Sequence, residues 1–155
     1  MAAYGLQDND VAGAIFGTEM DIETKVVPSG VTFAFGSAVF VDAGDEEKAY
    51  VPDSTDGSLK FLGVAPISHR SYDGAEDVYV AFQDMNVLTK GQIYVTVASG
   101  LSAIANATAY VIDDLNDAQY GKFTTLNSAA TYAIGGYFRS NVADGLARVE
   151  LRGLN

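Results

Sequence analysis

From Val31 onward, apolar residues recur at every second position in short runs, and glycine, asparagine or aspartate closes most of them. Period two belongs to an extended strand with one buried face, whereas a helix repeats about every 3.6 residues. The last run is the clearest: Ala147, Val149 and Leu151 alternate with Arg148, Glu150 and Arg152. Val39 and Val41 alternate with Ala38 and Phe40, and Val78, Val80 and Phe82 with Asp77, Tyr79, Ala81 and Gln83. The apolar run 61–67 contains Pro66 and reads as an edge strand or a strand end. Met85 to Leu88 leads through Thr89-Lys90-Gly91 into Ile93, Val95 and Val97, which predicts a hairpin with its tip at Lys90-Gly91. Strands over 108–112, 122–126 and 132–138 follow. Helical spacing is confined to Leu101, Ile104 and Ala105, enough for one short helix or turn. With sixteen glycines as punctuation, the expected fold is all-β: a compact β-barrel or β-sandwich of short antiparallel strands with an extended N-terminal arm.

The 155 residues fit one domain with an arm. Of the 20 acidic and 9 basic side chains, residues 1–57 hold 11 acids and only 2 bases. The first acidic stretch has no sustained period, so residues 1–25 are read as an extended arm and 26–155 as a single β-rich domain. The second, starting Asp42-Ala-Gly-Asp-Glu-Glu-Lys, is expected to be a solvated loop between strands. Absence of cysteine excludes disulfides, a thiol nucleophile and cysteine zinc sites, and one histidine excludes multi-histidine metal sites. A net charge of −11 argues against nucleic acid, whose affinity comes largely from lysine and arginine at phosphates. The start, MAAYGLQDNDVAG, lacks the basic and apolar character of a secretory signal. The charge-free run 91–112 is too polar for a membrane helix. The chain is therefore expected to stay in the compartment where it is made.

Catalytic patterns are missing. No G-x-S-x-G elbow or phosphate-binding glycine loop occurs, and His69, in Ser68-His-Arg-Ser-Tyr-Asp, reads as a surface residue on a connection. Asp113-Asp114 and Glu46-Glu47 are expected in solvated turns. Asp8-x-Asp10-x-Ala12-Gly13, followed by Ile15 and Glu19, fits most of an EF-hand loop. Ala12, however, offers no ligand at the fifth position, and flanking helices are not indicated, so the match reads as coincidence. Asn106-Ala-Thr108 has the form of a glycosylation acceptor without a secretion signal. The nine tyrosines and eight phenylalanines are read as core and cross-strand packing rather than a sugar-binding face. No catalytic, cofactor-binding or metal-ligating residue is assigned, and no cofactor is expected.

The linear order of motifs is more informative. An acidic arm precedes Val31-Thr-Phe-Ala-Phe-Gly-Ser-Ala-Val-Phe-Val and a polar loop. Phe61-Leu-Gly-Val-Ala, Val78-Tyr-Val-Ala-Phe, Val87-Leu-Thr-Lys-Gly-Gln-Ile-Tyr-Val and Ala109-Tyr-Val-Ile-Asp come next. Ile134-Gly-Gly-Tyr-Phe and Gly145-Leu-Ala-Arg-Val-Glu-Leu close the series. This order resembles the capsid cement, or head decoration, proteins of tailed bacteriophages over about 31–151, with one turn lengthened at 112–121. The resemblance implies a structural virion protein, not an enzyme. It would be made in the bacterial host cytoplasm, bind the outer surface of the assembled head and stabilise the lattice of the major capsid protein. The implied partners are that capsid protein and further copies of the chain, as a homotrimer or homodimer, with no nucleic acid and no membrane. A β-sandwich adhesin or carbohydrate-binding module, calcium-assisted through Asp8, Asp10 and Glu19, is the alternative reading. Another virion or tail subunit with a similar barrel is a third.

Overall fold

The computed structural model describes residues 11–68 and 78–153. The described chain is all β. Strands β1 (Ile15–Val26), β2 (Phe33–Ala34), β3 (Ala38–Asp42), β4 (Asp45–Tyr50) and β5 (Leu59–Val64) form the first half. Strand β6 (Val78–Tyr79) leads into the long β7 (Asp84–Thr96), and β8 (Thr108–Ile112), β9 (Phe123–Thr124), β10 (Thr131–Phe138) and β11 (Leu146–Arg152) complete it. Pairing runs β1-β4-β3-β5-β7-β11-β10-β8-β9 and returns from β7 to β1, while β2 and β6 form a small second sheet. The strands β1, β4, β3, β5 and β7 therefore make a closed ring. A bridge from Val97, just past β7, to Phe123 of β9 closes a second ring through β8, β10 and β11. Strand β7 is common to both, and closure leaves few of its backbone groups without partners.

Two cores follow from this pairing. Val27, Phe33, Val39, Leu62, Tyr79, Met85 and Val87 belong to one. Phe40, Leu59, Val64, Leu88, Ile93, Val95, Phe123, Phe138, Val149 and Leu151 belong to the other. Strands β3, β5 and β7 supply both, because successive side chains point to opposite faces: Val39 enters one core and Phe40 the other, and likewise Val87 and Leu88. That double duty makes these segments continuously apolar, while β11, buried on one face, alternates cleanly. Phe40 ties β3 to β10 through an edge-on contact with Tyr132 at 5.0 Å, and meets Phe61 at 5.7 Å.

The structure departs from the sequence reading at several places. Lys90-Gly91 is not a hairpin tip: β7 runs straight through it. Gly91 takes φ of 127°, and a Cβ there would lie 2.7 Å from the Glu19 carbonyl, so this glycine serves a close crossing of β1 over β7 rather than a reversal. The expected loop after Asp42 is a tight connection through Ala43-Gly44, and Glu46 and Glu47 sit exposed on β4. Not all strands are short and antiparallel: β1 and β7 have 12 and 13 residues, and β1 meets β4 in parallel at Val26 and Lys48. Of the short helix or turn expected near Leu101, Ile104 and Ala105, the structure has the turn, at Ala105-Asn106.

The expected arm boundary at residue 25 falls inside β1, which pairs antiparallel with β7 from Ile15–Ile93 to Val26–Asp84. Residues 1–10 lie outside the described part of the chain. Strand β1 is held by its backbone ladder more than by its side chains, since Phe16, Met20 and Ile22 remain 40–44% exposed.

Candidate interaction surface

The outward face of β7, β10 and β11 gathers side chains that the buried face cannot take. Register places Phe16, Gln92, Glu150 and Tyr137 in one cross-strand row, and Asp21, Lys90 and Arg152 in the next. Their strand neighbours Ile93, Val149, Leu151 and Phe138 point into the core. Of the chain's 9 basic residues, Lys90, Arg139, Arg148 and Arg152 lie here, a local basic cluster on an acidic protein.

Two of the cations on this face are ion-paired, and the other two lie over aromatic rings. Arg139 holds Glu150 in a fork, with Nε to Oε1 at 3.1 Å and Nη2 to Oε2 at 3.3 Å. The hydrogen bond from Arg139 keeps the Glu150 carboxyl below the ordinary glutamate range, against the opposing effect of partial burial. Lys90 pairs with Glu19 at 3.2 Å. The guanidinium of Arg148 sits 3.9 Å from the centre of the Phe16 ring, and Arg152 sits 4.3 Å from that of Tyr137. Where β1 bulges between Phe16 and Asp21, it leaves a groove of about 370 Å³ over Gly91 and Leu151. The result is a preformed surface of aromatic rings, ion pairs and ring-stacked arginines, suited to a protein contact.

The structure scatters the residues singled out in the sequence. Asp8, Asp10 and His69 lie outside the described residues. Ala12 and Gly13 form a turn: Gly13 donates its N–H to the Tyr94 carbonyl at 2.8 Å and accepts from the N–H of Ile67 at 2.8 Å. Glu19 stands on a strand, where an EF-hand would continue into a helix. Asn106 adopts φ of 70°, and its Oδ1 accepts from Arg139. Among the described residues, no group of three or more histidine, aspartate or glutamate side chains is arranged to hold a metal ion.

Asp113, expected in a solvated turn, is instead buried. It is 6% exposed, and its Oδ1 is buried with no donor. The backbone fixes it there: its N–H reaches the Ala130 carbonyl at 3.0 Å, and its carbonyl accepts from Ser54 at 2.9 Å. Burial first, then the neighbouring Asp114 and Asp53, push its carboxyl pKa up. The same surroundings raise the Tyr120 hydroxyl to about 12. Because folding raises the pKa of Asp113, its charge opposes folding above the raised value, and this penalty fades as pH falls toward the unfolded value of 3.8. Asp113→Asn should therefore melt above the parent protein at neutral pH, with the gap closing on acidification. Thermal melts between pH 3.5 and 7 test this; a gap independent of pH would mean the charge is not the cause.

Comparison with known families places the chain. The family described as structural cement protein (E217 gp24/Pam3 gp6) matches residues 6–152. The chain belongs to this phage cement family. Its role is structural rather than enzymatic, and its place is the phage capsid. No curated protein matches the chain. A chain in the solved structure of the capsid of Myoviridae phage XM1 shares the fold at a TM-score of 0.75, covering 94% of this cement protein and 91% of that chain at 20% identity.

Proposed function

We propose that this cement protein binds the outer surface of the assembled head and stabilises the lattice of the major capsid protein, working as a homotrimer or homodimer made in the host cytoplasm. The family match over residues 6–152 carries this reading. The physics supports it. A ligand that binds the assembled lattice and not its separated subunits stabilises the lattice by mass action, so many weak contacts repeated over a shell suffice. Two cores sharing β7 give each copy a stiff body for that purpose. The net charge of −11 keeps the protein away from packaged DNA, and no nucleic acid or membrane partner is assigned. We assign part of the grip to the N-terminal segment within 1–25, reaching a sheet edge on the shell protein or a sister copy by strand addition.

Quantitative mass spectrometry of purified virions, together with antibody labelling of intact heads, tests the proposal. Hundreds of accessible copies in simple ratio to the shell protein are expected. A few copies per particle, or copies reached only after heads are opened, would overturn it.

A further inference from the structure

The turn between β6 and β7 carries an anomaly that the fold does not use. Phe82 adopts φ of 67°, the left-handed region that a side chain with a Cβ enters at a cost. Among the described residues, the other non-glycine positions with positive φ are Asn106 and Asp144, types that tolerate this region well. Phenylalanine does not. The residue nevertheless stands 75% exposed, the most exposed large hydrophobic residue among those described.

The conformation is enforced. The Phe82 N–H donates to the Val27 carbonyl at 2.7 Å, and the Val27 N–H donates to the Gln83 carbonyl at 3.0 Å. The N–H of Gln83 reaches the Val80 carbonyl at 3.2 Å, and the Gln83 side-chain oxygen accepts from the Val80 N–H at 3.1 Å. Tyr79 and Met85, on either side, are sunk in the first core. The turn is thus a rigid mount, and asparagine or glycine at position 82 would relieve both the strain and the exposed ring. Strain maintained by its surroundings is a mark of function, and a rigid exposed aromatic loses little entropy on binding.

We propose that Phe82 is an anchor which inserts its ring into an apolar pocket of the shell protein. This inference rests on the capsid-binding reading and names a contact within it. The cement-family match makes the shell protein the expected receptor. On a second copy of the chain, the groove over Gly91 is flanked by Glu19, Lys90, Gln92, Glu150 and Arg152, which would lose water to a phenyl ring without replacement bonds. The apolar groove beside Phe33, Val51 and Pro52 is therefore the competing seat.

The test uses the full chain, heads lacking this protein, and two measurements: co-sedimentation affinity and thermal melting. Phe82→Asn should melt at the same temperature as the parent protein or higher, while its affinity for heads falls at least about tenfold. Phe82→Leu, which keeps an apolar side chain, should lose less affinity. Unchanged binding by Phe82→Asn overturns the anchor, as does a lower melting temperature, which would show the ring packing on its own chain. Loss of self-association by Phe82→Asn, with head binding intact, would move the contact to a sister copy and overturn the assignment to the shell. If the parent protein itself fails to bind heads, the capsid reading falls and takes the anchor with it. A failure confined to the variants leaves that reading standing.

Discussion

Gly63→Ala should lower the melting temperature by about 6–12 °C or more, corresponding to at least about 3 kcal/mol in a domain of this size. A Cβ at position 63 would lie 2.0 Å from the Leu88 carbonyl oxygen and 2.8 Å from its carbon, with Val87 Cγ1 at 2.9 Å. The obstacle is mostly backbone, so no rotamer change relieves it. Relief requires β5 to move off β7, and that seam borders both cores: Leu62 packs in one, Val64 and Leu88 in the other. One methyl group therefore loosens two sets of contacts at once, which places the cost at the upper end for overpacking or beyond. Calorimetry of the purified variant decides the matter; a loss under about 1 kcal/mol would show that the seam opens far more easily than the geometry requires.

Val149→Asp should destabilise the domain by about 3–5 kcal/mol at neutral pH, enough to unfold it where its stability is at the low end for a domain. Val149 is fully buried in the centre of β11, and its register partners are Ile93 on one side and Phe138 on the other. A carboxylate there has no cation or donor within the core, and an uncompensated buried charge costs about 3–5 kcal/mol, a large part of a typical domain's whole stability. Burial would push the new carboxyl's pKa up, so the penalty is largest at neutral pH and shrinks as the group is protonated in acid. Far-UV circular dichroism between neutral and mildly acidic pH tests both parts. A soluble variant with a normal melt would mean that β11 presents its other face to the core.

That face was readable from the sequence because β11 is buried on one side and wet on the other, the condition under which period two is visible. Where the condition fails, the reading fails too. Strand β7 serves one core with Met85 and Val87 and the other with Leu88, Ile93 and Val95, so its alternation breaks at the point where allegiance changes, beside Lys90-Gly91. A lysine-glycine pair at such a break looks like a reversal, and only the crossing of β1 shows otherwise. Strand β1 left almost no hydrophobic signature, because its side chains remain largely in water and its hold is the ladder to β7. The order of short motifs identified the family where no single residue could. The interaction surface was only half legible. The alternation of Arg148, Glu150 and Arg152 was evident, but the Arg139 fork and the seat of Phe16 under Arg148 depend on register between strands far apart in sequence. Phe82 was read as the end of an alternating strand, since a phenylalanine gives no warning of left-handed backbone.

The sharing of β7 also sets when this protein can become itself. Strand β1 comes well before its ladder partner β7 in the chain, with β2 to β6 between them. Strand β11 lies between β7 and β10 in the sheet but follows both in the chain. Pairings of such long sequence separation are slow to form, on the order of milliseconds to seconds, because the intervening chain must be ordered before the contacts repay it. The second core cannot close until β11 has joined β7 and β10. A chain truncated before β11 would therefore lack both Val149 and the outward arginines beside it, so a nascent or broken copy cannot present the finished surface. The second core and the outward surface therefore depend on the same strand, and neither is complete without it.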